Sequence, residues 1–545
     1  MLSFDIVVAG GGLAAMKSAV TAARGGQTVL MAVKTHLCGG ASFYPMMDMV
    51  ACQASTGVAE EDEAYMAEIL DASQGMADEE MNRVYIQTIR ERVSEFPEIG
   101  VDNARITDPK VACFAKTARP TYCWSDWAHI RQNMRSILAQ TPAITLMEQT
   151  SVISILKTGG AVSGVLLLRG GEMETVACKS LILATGGMGD LYEFNLNTPD
   201  VSGDGQTLSL LAGARLINAE FLQLIPGFVS PAYKTVFRET TVPYLQELQT
   251  VDGGDLLEMY LPDPADRAEC LRLRGKHGPF TNRTIARYFD IAMMEEILKT
   301  DGPTAGFAIR YRPEIGEDHF TFVGPYVQWL REKHGVDLAK DEIHIAPFYH
   351  AANGGVRIGH DCQTDVPGLF ACGEVSGGIH GADRLGGHST GSCLVFGYLA
   401  GQNAALYAQG ASFRAPQSAS DALQRDYAGS GSLSPDQLLA PIRRLMFRTG
   451  NVVREEKPLR EGLEKLSEWQ SDFDALSFLQ NAKAAPDAIK ARHFLLLGQA
   501  LLSAMLERRE SRGSHYRKDY PETNPAYHKR QLVSLQNGKW EVRPE

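Results

Sequence analysis

The sequence contains no C-x-x-C pair. Its nine cysteines are scattered between Cys38 and Cys393. That removes the usual spacing for zinc, an iron–sulfur cluster or attached haem, and no metal site is expected. No apolar run approaches the roughly 20 residues of a membrane-crossing helix, so no membrane span is expected. The first residues lack the basic and apolar regions of a signal peptide. With an odd cysteine count this favours free thiols in a cytoplasmic protein. Most of these cysteines read as small core residues. Cys38 and Cys372 stand out because they lie in glycine-rich turns. Positive charge is not in excess: 53 Lys and Arg stand against 65 Asp and Glu, a net charge of -12. No nucleic-acid partner is expected on that balance. Hydrophobic content of 44% and charge of 22% are those of an ordinary globular protein. A chain of 545 residues exceeds one core, and roughly two to four domains are expected.

Glycine, by contrast, is abundant and clustered. Residues 4–9, FDIVVA, read as a buried strand. Gly10-Gly11-Gly12-Leu13-Ala14-Ala15 follows, then an alanine-rich helix to Arg24, Gly25-Gly26, and a second strand over Thr28-Val29-Leu30-Met31-Ala32. A G-x-G-x-x-A turn inside a βαβ unit fits dinucleotide binding. Its glycines let a pyrophosphate approach the N-terminus of the helix. An acidic residue often ends the second strand to hold the adenosine ribose; here Val33 and Lys34 stand there.

Further along, residues 60–100 and Trp124 to Gln140 have helical spacing, with Trp124 and Trp127 read as core. Residues 150–180 read as an antiparallel meander. Leu181-Ile182-Leu183-Ala184-Thr185-Gly186-Gly187 is a buried strand running into glycines. Ser202-Gly203-Asp204-Gly205 alone would be a helix N-cap. From Gly368 to Cys372 a short apolar strand leads into six glycines between Gly373 and Gly387, with His380, Asp383, Arg384 and His388 among or beside them. The apolar run from Cys393 to Ala400 then suits a core helix. Such a backbone lets a flat ligand lie against it, with the N–H groups of the helix aimed at it. Arg384 in that setting is a candidate substrate clamp. Beyond about residue 410 the chain turns polar and helical.

These segments resemble the flavoprotein subunits of succinate dehydrogenase and fumarate reductase, with L-aspartate oxidase. That family carries GE, an HG-x-N-RLGGNS-like run and a helix ending VFG-x-x-AG. Here stand Gly373-Glu374, then His380-Gly381-Ala382-Asp383-Arg384-Leu385-Gly386-Gly387-His388-Ser389, then Val395-Phe396-Gly397-Tyr398-Leu399-Ala400-Gly401. Asp383 and His388 replace the family's asparagines. Thr185-Gly186-Gly187 resembles its ATGG strand end and Ser202-Gly203-Asp204-Gly205 its TGDG. Residues 346–355 resemble its HY-x-x-GG run, and 509–521 its ESRG-x-H-x-R-x-DYP run.

The resemblance implies an α/β protein: a Rossmann-like FAD-binding domain (1–227 and 345–408), interrupted by an α+β capping domain (228–344) and followed by a C-terminal helical domain and tail (409–545). It implies FAD held by Gly10, Gly12, Leu13, Ala14, Ala15, Lys34, Gly40, Ala41, Ser42, Thr185, Gly186, Asp204, Glu374, Ser389 and Thr390. Some members attach FAD through a histidine at the position of Ala41, so here FAD is expected to be non-covalent. Arg384 would clamp a substrate carboxylate and His350 would assist. Glu374 would bind the ribityl or ribose part of FAD. The family's R-D-x-V-x-R run delivers a proton from its first arginine, which falls on Asn282. Arg283, about 100° round a helix, and Arg287 are the candidates for that role.

The family's EF-x-Q-F-H-P-T appears as Glu220-Phe221-Leu222-Gln223-Leu224-Ile225-Pro226-Gly227. Ile225 cannot donate a hydrogen bond, so a plain dicarboxylate is not expected. The family's TEG-x-RGEGG stretch is reduced to Arg238-Glu239-Thr240. The implied reaction is hydride transfer between flavin N5 and a C–C bond beside a carboxylate. The alternatives are amine oxidation like that of L-aspartate oxidase, or electron relay with an iron–sulfur or other redox partner protein.

Overall fold

The computed structural model describes residues 1–43, 50–106, 111–246, 248–300, 306–319 and 323–545. In β1 (Leu2–Ala9) the run Ile6-Val7-Val8-Ala9 is buried without alternation, as in a strand covered on both faces. It lies inside a seven-stranded sheet with β2 (Val29–Ala32), β3 (Ile144–Met147), β4 (Thr150–Thr158), β5 (Ala161–Arg169) and β6 (Glu172–Leu183), in the order β3-β2-β1-β6-β5-β4. The members β3, β2, β1 and β6 are parallel, while β4, β5 and β6 form the expected antiparallel meander. Partway along β6 its outer partner changes. Gly164 of β5 faces Ala177, but Leu369 of a later strand faces Leu181.

The carboxyl ends Ala9, Ala32, Leu183 and Ala371 therefore stand side by side. In open α/β sheets this edge is where ligands bind. Two helices close over it. In the N-terminal helix α1 (Leu13–Arg24), nine of twelve residues are buried, from Leu13 to Ala22. It crosses a long helix, His388–Gly410. A side chain on Gly397 would press the Ala14 carbonyl at 3.0 Å, and one on Gly401 the Ser18 carbonyl at 2.4 Å. These glycines let the two backbones touch.

The remaining elements surround this unit. Helices Ala59–Ser73, Glu79–Ser94 and Trp127–Ala139 occupy the predicted helical stretches. Trp124 ends a strand and is buried; Trp127 is half-buried. Strands Leu222–Ser230 and Ile343–Ala352 pair antiparallel, with Phe307–Ile309 as a third strand. The expected boundaries at 227 and 345 fall inside these paired strands, and the one at 408 falls in the last turn of His388–Gly410. Helices Ala419–Tyr427, Pro435–Thr449, Glu456–Ser471 and Ala485–Glu507 build the C-terminal part. Its tail is a hairpin, Gln531–Gln536 with Lys539–Pro544. It joins Leu216–Ile217 through Leu216↔Val533 rather than hanging free.

Candidate active site

At the carboxyl edge of the sheet, Gly10 adopts φ +133°, and a side chain there would sit 2.2 Å from the Ala184 carbonyl. Glycine is required for that approach. Gly12 caps α1 with no side-chain hydrogen bond, and a side chain built on it would meet nothing within 4 Å. The first helical bond runs from the Met16 N–H to the Gly12 carbonyl. The N–H groups ahead of it lack helical partners and suit a pyrophosphate. The cavity in front spans about 920 Å³ including its mouth. Gly10, Gly12, Leu13, Ala14, Lys34, Gly40, Ala41, Ser42, Thr185, Gly186, Asp204 and Glu374 all line it. The Thr185 hydroxyl is buried without a partner. An elongated cradle with bare helix N–H groups and an unused hydroxyl fits a dinucleotide.

Three other sequence candidates lie outside this wall. Ala15 packs on the fully buried side of α1. Ser389 and Thr390 sit in the first turn of His388–Gly410, and Cys393 is the residue of that helix that lines the cavity. Asp204 does line it, but its carboxylate is already engaged. The Lys34 ammonium donates to Oδ2 at 2.7 Å and His493 Nδ1 meets Oδ1 at 2.8 Å. Burial pushes this carboxyl up, yet Lys34 and His493 outweigh it and hold it well below the usual carboxylate range. Lys34 and Asp204 thus form one ion-paired wall. Burial raises the Cys38 thiol to about 12, which makes it inert. All nine cysteines are free.

Glu374 connects the cradle to a second cluster. Its Oε1 accepts from the Ala352 N–H at 2.9 Å, and burial raises its pKa. Beyond it stands Arg384, 7% exposed. Its Nη2 donates to the Gln223 side-chain carbonyl, and its Nε is buried without a partner. Among the described residues it makes no ion pair within bonding distance; Glu374 only favours its charge through space.

His350 is brought to the same place by a bulge. Gln223 faces Ala351 and Leu224 faces Tyr349, so His350 is the extra residue between them. A bulge of this kind re-aims a side chain. Burial, then Arg384, push the His350 imidazole down to about 3. His388 is likewise held at about 3 by burial and Arg384. His380 meets it edge to face at 4.9 Å. Cys113 lies in the field of both Glu239 and Arg384. Ile225 Cδ1 and a Glu239 oxygen both approach Gly278, within 3.8 and 3.5 Å of where its side chain would be.

The two arginine candidates within residues 228–344 have other partners, and the Arg287 Nε is buried without one. Arg283 pairs with Asp71 at 2.8 Å. Arg287 donates to Asn282 at 2.9 Å and to the Tyr288 hydroxyl at 3.0 Å. Neither makes a hydrogen bond to Arg384, His350 or Gln223. Sequence reasoning set His380 and His388 beside Arg384 without a role, and missed Gln223 and Cys113 as members of this cluster. The signal available for His388 was its departure from asparagine in the resembled run.

Fold and cradle define a class: an oxidoreductase that holds a dinucleotide cofactor on a Rossmann-like sheet. Comparison with known proteins makes the cofactor specific. Residues 5–238 and 316–390 match the FAD binding domain family, and residues 440–544 match the fumarate reductase flavoprotein C-terminal family. One of the subunits of the CoM/CoB fumarate reductase of Methanothermobacter marburgensis is 30% identical over 408 residues, covering 72% of this chain and 70% of that one. The L-aspartate oxidase of Vibrio cholerae is 26% identical over 547 residues, covering 95% and 96%. Among solved structures, Mycobacterium smegmatis Sdh1 in complex with UQ1 superposes with TM-score 0.82 at 24% identity, over 100% of this chain and 94% of that one.

The chain is an FAD-dependent oxidoreductase and belongs to the fumarate reductase/succinate dehydrogenase flavoprotein family. Among the described residues no helix is long and apolar enough to cross a membrane.

Proposed function

We propose that the protein moves a hydride between FAD and a carbon–carbon bond beside a substrate carboxylate, and that this substrate is not a plain dicarboxylate. The observation that carries this reading is Arg384. Among the described residues, a neutral amide is the only hydrogen-bond partner of this buried guanidinium. Such a cation is costly unless an anion completes it. A carboxylate matches its planar fork. His350 adds a ring nitrogen without a partner beside it. Toward Gly278 the wall offers Ile225 in place of a hydrogen-bond donor, so a second carboxylate gains no grip from that position.

FAD, when bound, supplies the two-electron chemistry. Gly10, Gly12, Leu13 and Ala14 would hold its pyrophosphate. The Thr185 hydroxyl and Glu374 would reach its sugar and ribityl parts. Arg384 fixes the substrate carboxylate and draws charge from the adjoining double bond. On this reading the FAD-binding unit, 1–227 with 345–408, is closed by 228–344 and backed by 409–545. Ala41 offers no nucleophile on the cavity wall, which supports FAD held without a covalent bond. Acid precipitation should leave yellow flavin in the supernatant; a yellow pellet would contradict this.

Replacing Arg384 by Ala should lower turnover about a thousandfold or more while FAD stays bound. Unchanged turnover would refute its role. A second reading, oxidation of an amine, gains support from the L-aspartate oxidase match over 95% of the chain. Release of ammonia and peroxide would distinguish it. A redox partner protein, iron–sulfur or other, would exchange electrons with the flavin, since the sequence has no cluster spacing of its own. The free thiols fit a reducing, cytoplasmic setting.

A further inference from the structure

Three histidines around Arg384 carry buried ring nitrogens that no hydrogen bond uses. His350 Nδ1, His380 Nδ1 and His388 Nε2 are sealed from water without partners. A neutral imidazole carries one donor and one acceptor, and leaving either unused in the interior is costly. His380 and His388 form the tightest pair, edge to face at 4.9 Å, and the Tyr85 ring packs 4.3 Å from His388.

The surroundings explain why the pair is neutral. Arg384 comes from the loop just ahead of the helix. Tyr85 faces it from helix Glu79–Ser94, and Cys393 lies just over a turn along His388's own helix. His350 and Glu374 also lie in the field of Arg384. Burial disfavours an imidazolium here first; Arg384 comes next at His388, while at His380 the His388 ring comes next and Arg384 third. His388 also heads a helix, where a cation is disfavoured. Of these influences, the Arg384 charge is the one that an arriving anion cancels.

We propose that a carboxylate settling on Arg384 brings a proton with it, taken from solvent by the His380–His388 pair. No carbon bond forms or breaks in this step and no electron moves. One proton leaves the buffer and one imidazole becomes imidazolium. The unpartnered ring nitrogens gain an acceptor as the site gains its charge. The inference rests on the carboxylate reading of Arg384.

Acetate is the probe, and the FAD-loaded protein is the sample. Binding heats at about pH 6, measured in buffers of different ionisation enthalpy, give the protons taken up per acetate bound. About one proton is expected, with acetate affinity falling about tenfold per pH unit between about pH 5.5 and the ordinary histidine range. His388→Asn installs the amide of the resembled run. It should bind acetate with uptake cut by about half or more and a flatter pH dependence. Acetate binding without proton uptake would overturn this inference and leave the carboxylate site standing. No acetate binding would overturn both. Full uptake in His388→Asn would place the proton elsewhere and overturn the assignment to the pair.

Discussion

Two buried polar clusters, one of several arginines and one centred on Arg384 alone, lie on either side of one short run, Glu220 to Gln223. On the Glu220 side three buried arginines meet carboxylates, while a fourth, Arg454, donates to the Glu220 backbone carbonyl and keeps one guanidinium nitrogen unused. Arg508 meets Glu220 at 2.6 Å and Glu510 at 2.8 Å, all fully buried. Arg512 also binds Glu510, and Arg517 binds Asp519 at 2.7 Å. On the Gln223 side Arg384 has an amide and, among the described residues, no carboxylate within bonding distance, and three histidines have unused nitrogens. Both are buried; the Glu220 side holds carboxylates within bonding distance of its arginines, and the Gln223 side, among the described residues, does not. The paired cluster stitches the C-terminal segment onto the strand that starts at Leu222. The unpaired one has no structural reason to be left incomplete. An incomplete buried polar cluster beside a cofactor cradle is the mark of a site built for something else to finish.

The contrast can be broken by substitution. The largest effect is expected at Arg384→Ala: turnover falls about a thousandfold or more, but thermal stability holds or rises, because an unpaired buried cation has been removed. Arg508→Ala should do the reverse. It strands Glu220 and Glu510 in the interior and should cost about 3–5 kcal/mol in denaturant unfolding. If Arg508→Ala is nearly neutral, or Arg384→Ala unfolds the protein, the distinction between the clusters fails.

A smaller effect sharpens it. Asp383 sits next to Arg384 and accepts from the Thr281 hydroxyl at 2.7 Å, while its Oδ1 has no partner. Burial lifts its pKa to about 7, against the pull of Thr281 and Arg283. The folded chain therefore keeps a proton that the unfolded chain releases near pH 4. Stability from this group is present at low pH and is lost as pH rises toward about 7. Asp383→Asn should remove that loss, melting a few degrees above the wild type at about pH 8 and close to it near pH 4. An unchanged melting-temperature difference between those two pH values would mean Asp383 is ionised throughout.

Much of this is legible in the sequence, for physical reasons. The glycine turn after β1 is local, and so is the meander over residues 150–180. Both pair neighbours in sequence, and both stand as expected. What is not legible depends on distant partners. Lys34 reads as a departure from an acidic ribose ligand, and its partner Asp204 is 170 residues away. The tail reads only as the end of a helical domain, yet Val533 pairs with Leu216. The histidine cluster joins the bulge at His350 to the head of a helix at His388, and no single stretch contains both. Arg287 matches the last arginine of a motif by spacing and Arg283 stands one step off its first; neither reading shows that Arg283 pairs with Asp71 and Arg287 bonds to Asn282.

The central claim is that Arg384 waits for one carboxylate beside the flavin. Its most direct test is anaerobic. The bound flavin is reduced with light, and a panel of monocarboxylic 2-enoates or fumarate is added while the visible spectrum is followed. The account predicts that at least one monoacid reoxidises the flavin about tenfold or more faster than fumarate, and that none does so in Arg384→Ala. Silence from every monoacid, fumarate reacting as fast as the best of them, or reoxidation surviving the loss of Arg384 would contradict it.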